Sequence, residues 1–100
     1  MPQRAGRVTG KKALISCAAQ GLGAAAANLL AHHGATVALA DINHTGAEAV
    51  AMKINAEFGM ATAYSFRLDV RDETQWIDVL ARADSAMGSM NVLVNNASRI

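Results

Sequence analysis

The chain has one cysteine, Cys17, among its 100 residues, so no internal disulfide can form. A lone thiol in a small protein points to a reducing, cytoplasmic setting. No apolar run approaches the roughly 18 residues that suggest a membrane span. The opening stretch, residues 1–10, is polar and lacks the apolar segment of a secretory signal, and it reads as a flexible leader. Basic residues never cluster beyond Lys11-Lys12, and the net charge is only +1. Arg4, Arg7, Lys11 and Lys12 make at most a weak basic arm, so nucleic acid is not an expected partner. His32, His33 and His44 have no metal-ligand spacing with carboxylates or with the cysteine, and no metal site is expected.

What is present is an apolar fraction of 52%, ample for one packed core in one domain. Apolar runs of strand length alternate with stretches of helical periodicity. The spacing predicts strands over Lys12–Ser16, Thr36–Ala40, Thr62–Leu68 and Asn91–Asn95, and helices over Leu22–His33, Thr45–Phe58 and Glu73–Met87. Gly34, Gly59 and Gly88 each follow a helix, and Asp72 precedes the third as an N-cap. Ala47, Val50, Ala51, Ile54 and Phe58 form the buried stripe expected of the second helix. Trp76, Val79, Leu80, Ala83 and Met87 form that of the third. Right-handed crossovers then give an α/β fold, a doubly wound parallel sheet covered by helices on both faces.

The first strand runs into Ser16-Cys17-Ala18-Ala19-Gln20-Gly21-Leu22-Gly23, and an alanine-rich helix follows. Amide groups at a helix start lack partners within the helix and sit at its positive end, so they can hold a diphosphate. Gly21 would let the backbone approach that group, and Gly23 would let the helix pack closely on the strand. A tight strand-to-helix turn without a ligand is the alternative reading of the loop alone. Asp41 ends the second strand 18 residues after Gly23, near the spacing expected of an acid that grips the ribose hydroxyls of NAD. Its charge would repel a 2′-phosphate. No arginine follows it, only Ile42, Asn43 and His44, so NAD is expected over NADP.

With Asp69 ending the third strand and Asn95-Asn96-Ala97 the fourth, the sequence resembles the short-chain dehydrogenase/reductase family from about Gly10 onward. That family's Thr-Gly-x-x-x-Gly-x-Gly loop is matched by Ser16 to Gly23, and its Asn-Asn-Ala-Gly by Asn95-Asn96-Ala97-Ser98. The resemblance implies a Rossmann-type sheet in the order 3-2-1-4. It also implies a cofactor site drawn from Ser16, Cys17, Gln20, Gly21, Leu22, Gly23, Asp41, Ile42, Asp69, Val70, Asn96 and Ala97. In this reading Gln20 and Leu22 act through the loop backbone, Ile42 packs near the adenine, and Asp69 with Val70 contacts the base. Asn96 lies near the ribose and also tethers the central strand. Two positions depart from the family. Cys17 replaces the first loop glycine and would be strained at positive φ, and Ser98 replaces the last glycine of the second signature. A redox role for a thiol near a helix start is conceivable chemistry, but a tolerated small residue is the favoured reading.

The family moves a hydride between nicotinamide and a carbonyl or carbinol carbon. It uses a serine, a tyrosine and a lysine four residues after the tyrosine. Here the one tyrosine, Tyr64, lies within a strand, and position 68 is Leu. No catalytic residue is therefore expected in this chain. It reads as residues 11–100 of the cofactor-binding half of a longer NAD-dependent enzyme acting on a secondary alcohol or ketone, the parent being a homo-oligomer. The apolar fourth strand, Val92-Leu93-Val94, fits a central place in a larger sheet. A non-catalytic dinucleotide-binding or regulatory module is the second reading. A phospho-acceptor receiver domain is disfavoured, because it needs paired acids where Ser16 and Cys17 stand.

Overall fold

The computed structural model describes residues 9–95. β1 (Lys12–Ser16), α1 (Gly21–His32), β2 (Thr36–Asp41), α2 (His44–Phe58), β3 (Ala63–Arg67), α3 (Glu73–Met87) and β4 (Val92–Val94) follow one another in strict alternation. The strands form one parallel sheet in the order β3-β2-β1-β4. Leu14 pairs with Ala38 on one side and with Leu93 on the other.

Parallel strands bury both faces, and the residues divide accordingly. Ala13, Ile15, Val37 and Leu39 point to one face, where Ala27 and Ala31 of α1 and Ala47, Ala51 and Ile54 of α2 cover them. Leu14, Ala38 and Ala40 point to the other, under Val79, Ala83 and Met87 of α3. Ala47, Ala51 and Ile54 of the first predicted stripe and Val79, Ala83 and Met87 of the second are buried. Val50, Phe58, Trp76 and Leu80 sit half-buried at their margins. The alanines let α1 lie close to the sheet. Trp76 turns its indole N–H onto the Val70 carbonyl at 2.8 Å, giving its one polar atom a partner.

Element ends differ from expectation by one or two residues, for local reasons. β2 runs on to Asp41 because its carbonyl still accepts from the Leu68 amide at 3.0 Å. α2 begins at His44 because Asn43 caps it, its side chain accepting from the Gly46 amide at 3.1 Å. β3 starts at Ala63 because the Thr62 amide turns to the Asn55 carboxamide oxygen, 3.0 Å away. β4 is shorter than predicted. At its head the Asn91 side chain accepts from the Lys12 amide at 2.9 Å, while the Asn91 amide donates to the Lys12 carbonyl at 2.8 Å. A carboxamide thus stands where a ladder carbonyl would be. Of the predicted leader, residues 1–8 lie outside the described residues. Thr9 is already close to Gly34, where an added Cβ would meet its Oγ1 at 2.6 Å.

Candidate functional site

Because all four strands run in one direction, the loops after them open on one edge of the sheet. Ser16, Asp41 and Asp69 therefore share that edge, while Tyr64 sits within the outer strand β3. Neighbouring parallel strands lie about 4.8 Å apart, so Asp41 is one strand spacing, and Asp69 about two, from the loop after β1.

That loop is anchored by its own amides. Ala18 is buried and its N–H donates to the Ala40 carbonyl at 3.2 Å. The next amide, of Ala19, donates to Asp41 Oδ2 at 2.9 Å, and the Asn43 amide donates to Oδ1 at the same distance. The Asp41 carboxylate therefore ties the loop to the start of α2. A carboxylate has about four acceptor positions, so two neutral amides leave capacity for further donors. Ser16 is fully buried and its hydroxyl donates to Asn95 Oδ1 at 3.2 Å, joining the ends of β1 and β4.

The backbone meets the strain condition stated for Cys17: its φ is +54°, a left-handed conformation that a side chain disfavours. Gly21 has φ +64°, and a Cβ added there would meet nothing within 4 Å. Its outer side is open space. Gly23 is the reverse. A Cβ there would lie 2.2 Å from the Cys17 carbonyl oxygen and 3.0 Å from Ala18 Cα. The close packing expected of Gly23 is thus against the loop that follows β1, rather than against the strand itself.

The three helix starts differ in kind. Asn43 caps α2 and Asp72 caps α3, the latter accepting from the Gln75 amide at 3.2 Å. Gln20, the N-cap of α1, contributes no side-chain hydrogen bond, and the first turn of α1 holds no acid. The start of α1 thus carries neither a side-chain cap nor an acid, and the space beside Gly21 is open, a donor set suited to an anion. Gln20 and Leu22 are exposed beside it, and Ile42 is exposed beside Asp41.

At the third strand end Asp69 is not simply poised for a ligand. Its Oδ1 accepts from the Arg71 amide at 3.0 Å and Nε at 3.1 Å, and its Oδ2 accepts from Nη2 at 3.1 Å. The Arg71 guanidinium and amide hold the Asp69 carboxyl below the usual carboxylate range, with a smaller attraction from Arg67. Gln75 reaches back from α3 to accept from the Asp69 amide at 2.8 Å and is itself held by Asp72 at 3.2 Å. Val70 is half-buried next to this pair.

Asn96, Ala97 and Ser98 lie outside the described residues. The Arg71 clamp and the Ala19–Asp41 brace were missed from sequence. Asn43 carried a usable signal, since asparagine just ahead of an apolar-periodic stretch is a common N-cap. Surface grooves of about 310 and 320 Å³ run along α1 and α2, walled by Asn28, Glu57 and their neighbours. No strand-end residue lines either groove.

A family profile described as short chain dehydrogenase matches residues 11–100. The chain belongs to that family. It is 46% identical over 95 residues to a trans-4-hydroxycyclohexanecarboxylate dehydrogenase of Sinomonas cyclohexanicum, a match covering 91% of this chain and 37% of the relative. Among solved structures, a hydroxysteroid dehydrogenase from Escherichia coli superposes with a TM-score of 0.86 at 34% identity, over 93% of this chain and 39% of that one. A 3-ketoacyl-(acyl-carrier-protein) reductase from Brucella melitensis, crystallised with NADH, superposes with a TM-score of 0.78 at 32% identity, over 85% and 33%. The chain thus spans a little over a third of the length of the relatives it matches. The order β3-β2-β1-β4 agrees with the Rossmann-type arrangement expected from the family resemblance.

Proposed function

We propose that residues 11–100 form the NAD-binding half of an oxidoreductase that interconverts a secondary alcohol and a ketone. One observation carries the reading: the order of groups along the sheet edge repeats the covalent order of an adenosine diphosphate. An uncapped helix start with open space at Gly21 faces the diphosphate at β1. The Asp41 carboxylate faces the ribose at β2, and Asp69 faces the base at β3. The residues present fit the group, because the tight contact at Gly23 and the open side of Gly21 make a cradle that a larger residue would fill or spread.

Each residue has a definable task in this reading. The amides of Gly21 and Leu22 donate to the diphosphate. Asp41 accepts from both ribose hydroxyls while keeping the Ala19 and Asn43 amides. Its negative charge disfavours a 2′-phosphate, and Ile42 and Val70 flank the base. When bound, the dinucleotide supplies a hydride donor or acceptor. The serine, tyrosine and lysine that manage the substrate's proton belong to the remainder of a longer chain, consistent with the share of its relatives that this chain covers. Among the described residues β4 is an edge strand paired with β1 alone, which leaves room for a further strand beside it. We propose a cytoplasmic homo-oligomer for the whole enzyme. No described helix is long and apolar enough to cross a membrane.

Calorimetric titration of the chain with NADH and NADPH tests the cofactor. NADH should bind more tightly, and Asp41→Ala should weaken NADH and narrow the gap. Tighter binding of NADPH by the unsubstituted chain removes the role given to Asp41. Absence of binding by either removes the dinucleotide reading.

A further inference from the structure

We infer that Arg71 is a positioning residue, whose bidentate hold on Asp69 aims that carboxylate at the exocyclic amine of an adenine and so makes the site selective for the base. The inference rests on the dinucleotide reading above and deepens it at one end of the site.

The geometry has three parts. The Asp69 backbone is clamped, its amide donating to Gln75 Oε1 at 2.8 Å, with Gln75 braced by Asp72. The carboxylate is then turned by one neighbour only. Arg71 gives Oδ1 two donors, its amide at 3.0 Å and Nε at 3.1 Å, and gives Oδ2 one, Nη2 at 3.1 Å. Among the described residues no other donor reaches Oδ2, so that oxygen keeps an acceptor position. A neutral carboxyl in this place could donate to a base carbonyl. An ionised one, the ordinary state of an aspartate at neutral pH, can only accept, and the part of the arginine is to fix its orientation. Adenine presents an amine at its exocyclic position and hypoxanthine a carbonyl. An acceptor-only group therefore separates the two.

The plain alternative is a surface ion pair with no task. Arg71 is 83% exposed and Asp69 23% exposed, and pairs of that kind contribute little to stability. What distinguishes this pair is the two-pronged contact between residues two apart in a connecting segment, which fixes one carboxylate orientation. Lysine, a point charge, cannot reproduce the fork.

The test compares NADH with reduced nicotinamide hypoxanthine dinucleotide by calorimetry, on the full chain and on Arg71→Ala, Arg71→Lys and Asp69→Asn. The unsubstituted chain should prefer NADH by roughly ten-fold, the lower end for a hydrogen bond to a charged group. Arg71→Ala should bring that ratio close to one, Arg71→Lys should restore part of it, and adding Arg71→Ala to Asp69→Asn should change it no further. A structural role alone would weaken both ligands equally and leave the ratio intact, which overturns the inference. A ratio of one in the unsubstituted chain overturns it too, while NADH binding itself leaves the dinucleotide reading standing. If neither dinucleotide binds, that reading fails first.

Discussion

Gly23→Ala is the sharpest perturbation available, because the structure states what the added methyl would strike. Its carbon would sit 2.2 Å from the Cys17 carbonyl oxygen and 2.9 Å from the carbonyl carbon, where ordinary contact begins near 3.4 Å. Both parties are backbone, so no side chain can swing aside. The start of α1 and the loop after β1 must separate by about 1 Å in a well-packed region. Overpacking of this kind costs about 1–3 kcal/mol. Alanine returns up to ~1 kcal/mol of helix propensity, less in the first turn. A net loss of about 1–2 kcal/mol follows, read as a shift of the urea midpoint at unchanged slope.

The same displacement moves the donor amides away from a bound diphosphate. NADH affinity should therefore fall at least ten-fold if one charge-assisted hydrogen bond is lost, worth about 1.5–3 kcal/mol. Gly21→Ala is the matched control for the stability loss alone, since a methyl there would also enter the proposed cradle. It has nothing within 4 Å to strike but sits at φ +64°. Its expected cost is only the left-handed penalty, about 1–2 kcal/mol, and it leaves the loop in place. A Gly23→Ala chain within about 0.5 kcal/mol of the parent, the usual spread of neutral surface changes, refutes the close approach described here.

Other expectations follow from single contacts. Cys17→Gly relieves a side chain at φ +54°. Set against the greater freedom of the unfolded chain, it should stabilise by ~0.5 kcal/mol in urea unfolding, and a loss would mean that the thiol's own contacts outweigh the backbone. Asn55→Ala removes three hydrogen bonds, from the Thr62 and Ala63 amides and to the Ala63 carbonyl. It should cost about 2–3 kcal/mol, and a change under about 0.5 kcal/mol would refute the bridge between α2 and β3. The lowered Asp69 carboxyl stabilises the fold above the ordinary value of 3.8, and that contribution is lost as pH falls through the lowered folded value. Melting Arg71→Ala beside the parent should show any deficit at neutral pH closing only in that acid range, and a deficit of constant size down to pH ~2 would exclude the ion pair as its source.

Element order was readable because apolar period and helix terminators reinforce each other. α3 was bounded correctly by Asp72 and Gly88, and β1 by its own apolar run. Errors arose where a side chain does a backbone's work. Asn91 substitutes for a ladder carbonyl, and Asn55 takes over amides that would have lengthened β3. Neither leaves a periodic trace. Of the site, the residue types and their strand ends were legible. The hydrogen bonds that orient them were not, because Ala19 and Asp41 are 22 residues apart and Arg71 lies in a connection with no repeat to betray it.

The strand-end acids matter for how the site is built, since each already accepts from the protein before any ligand arrives. Asp41 holds the loop after β1 through the Ala19 amide, so in the proposed reading the carboxylate that selects the sugar also shapes the phosphate cradle. On that proposal, ribose selectivity and loop geometry are linked by one side chain. Asp41→Ala should disturb both, whereas Asp41→Asn, which keeps one acceptor for an amide but no charge, should relax selectivity with a smaller loss of overall affinity. Equal losses of NADH affinity in the two variants would show that the Ala19 amide gains nothing from Asp41 when ligand is bound.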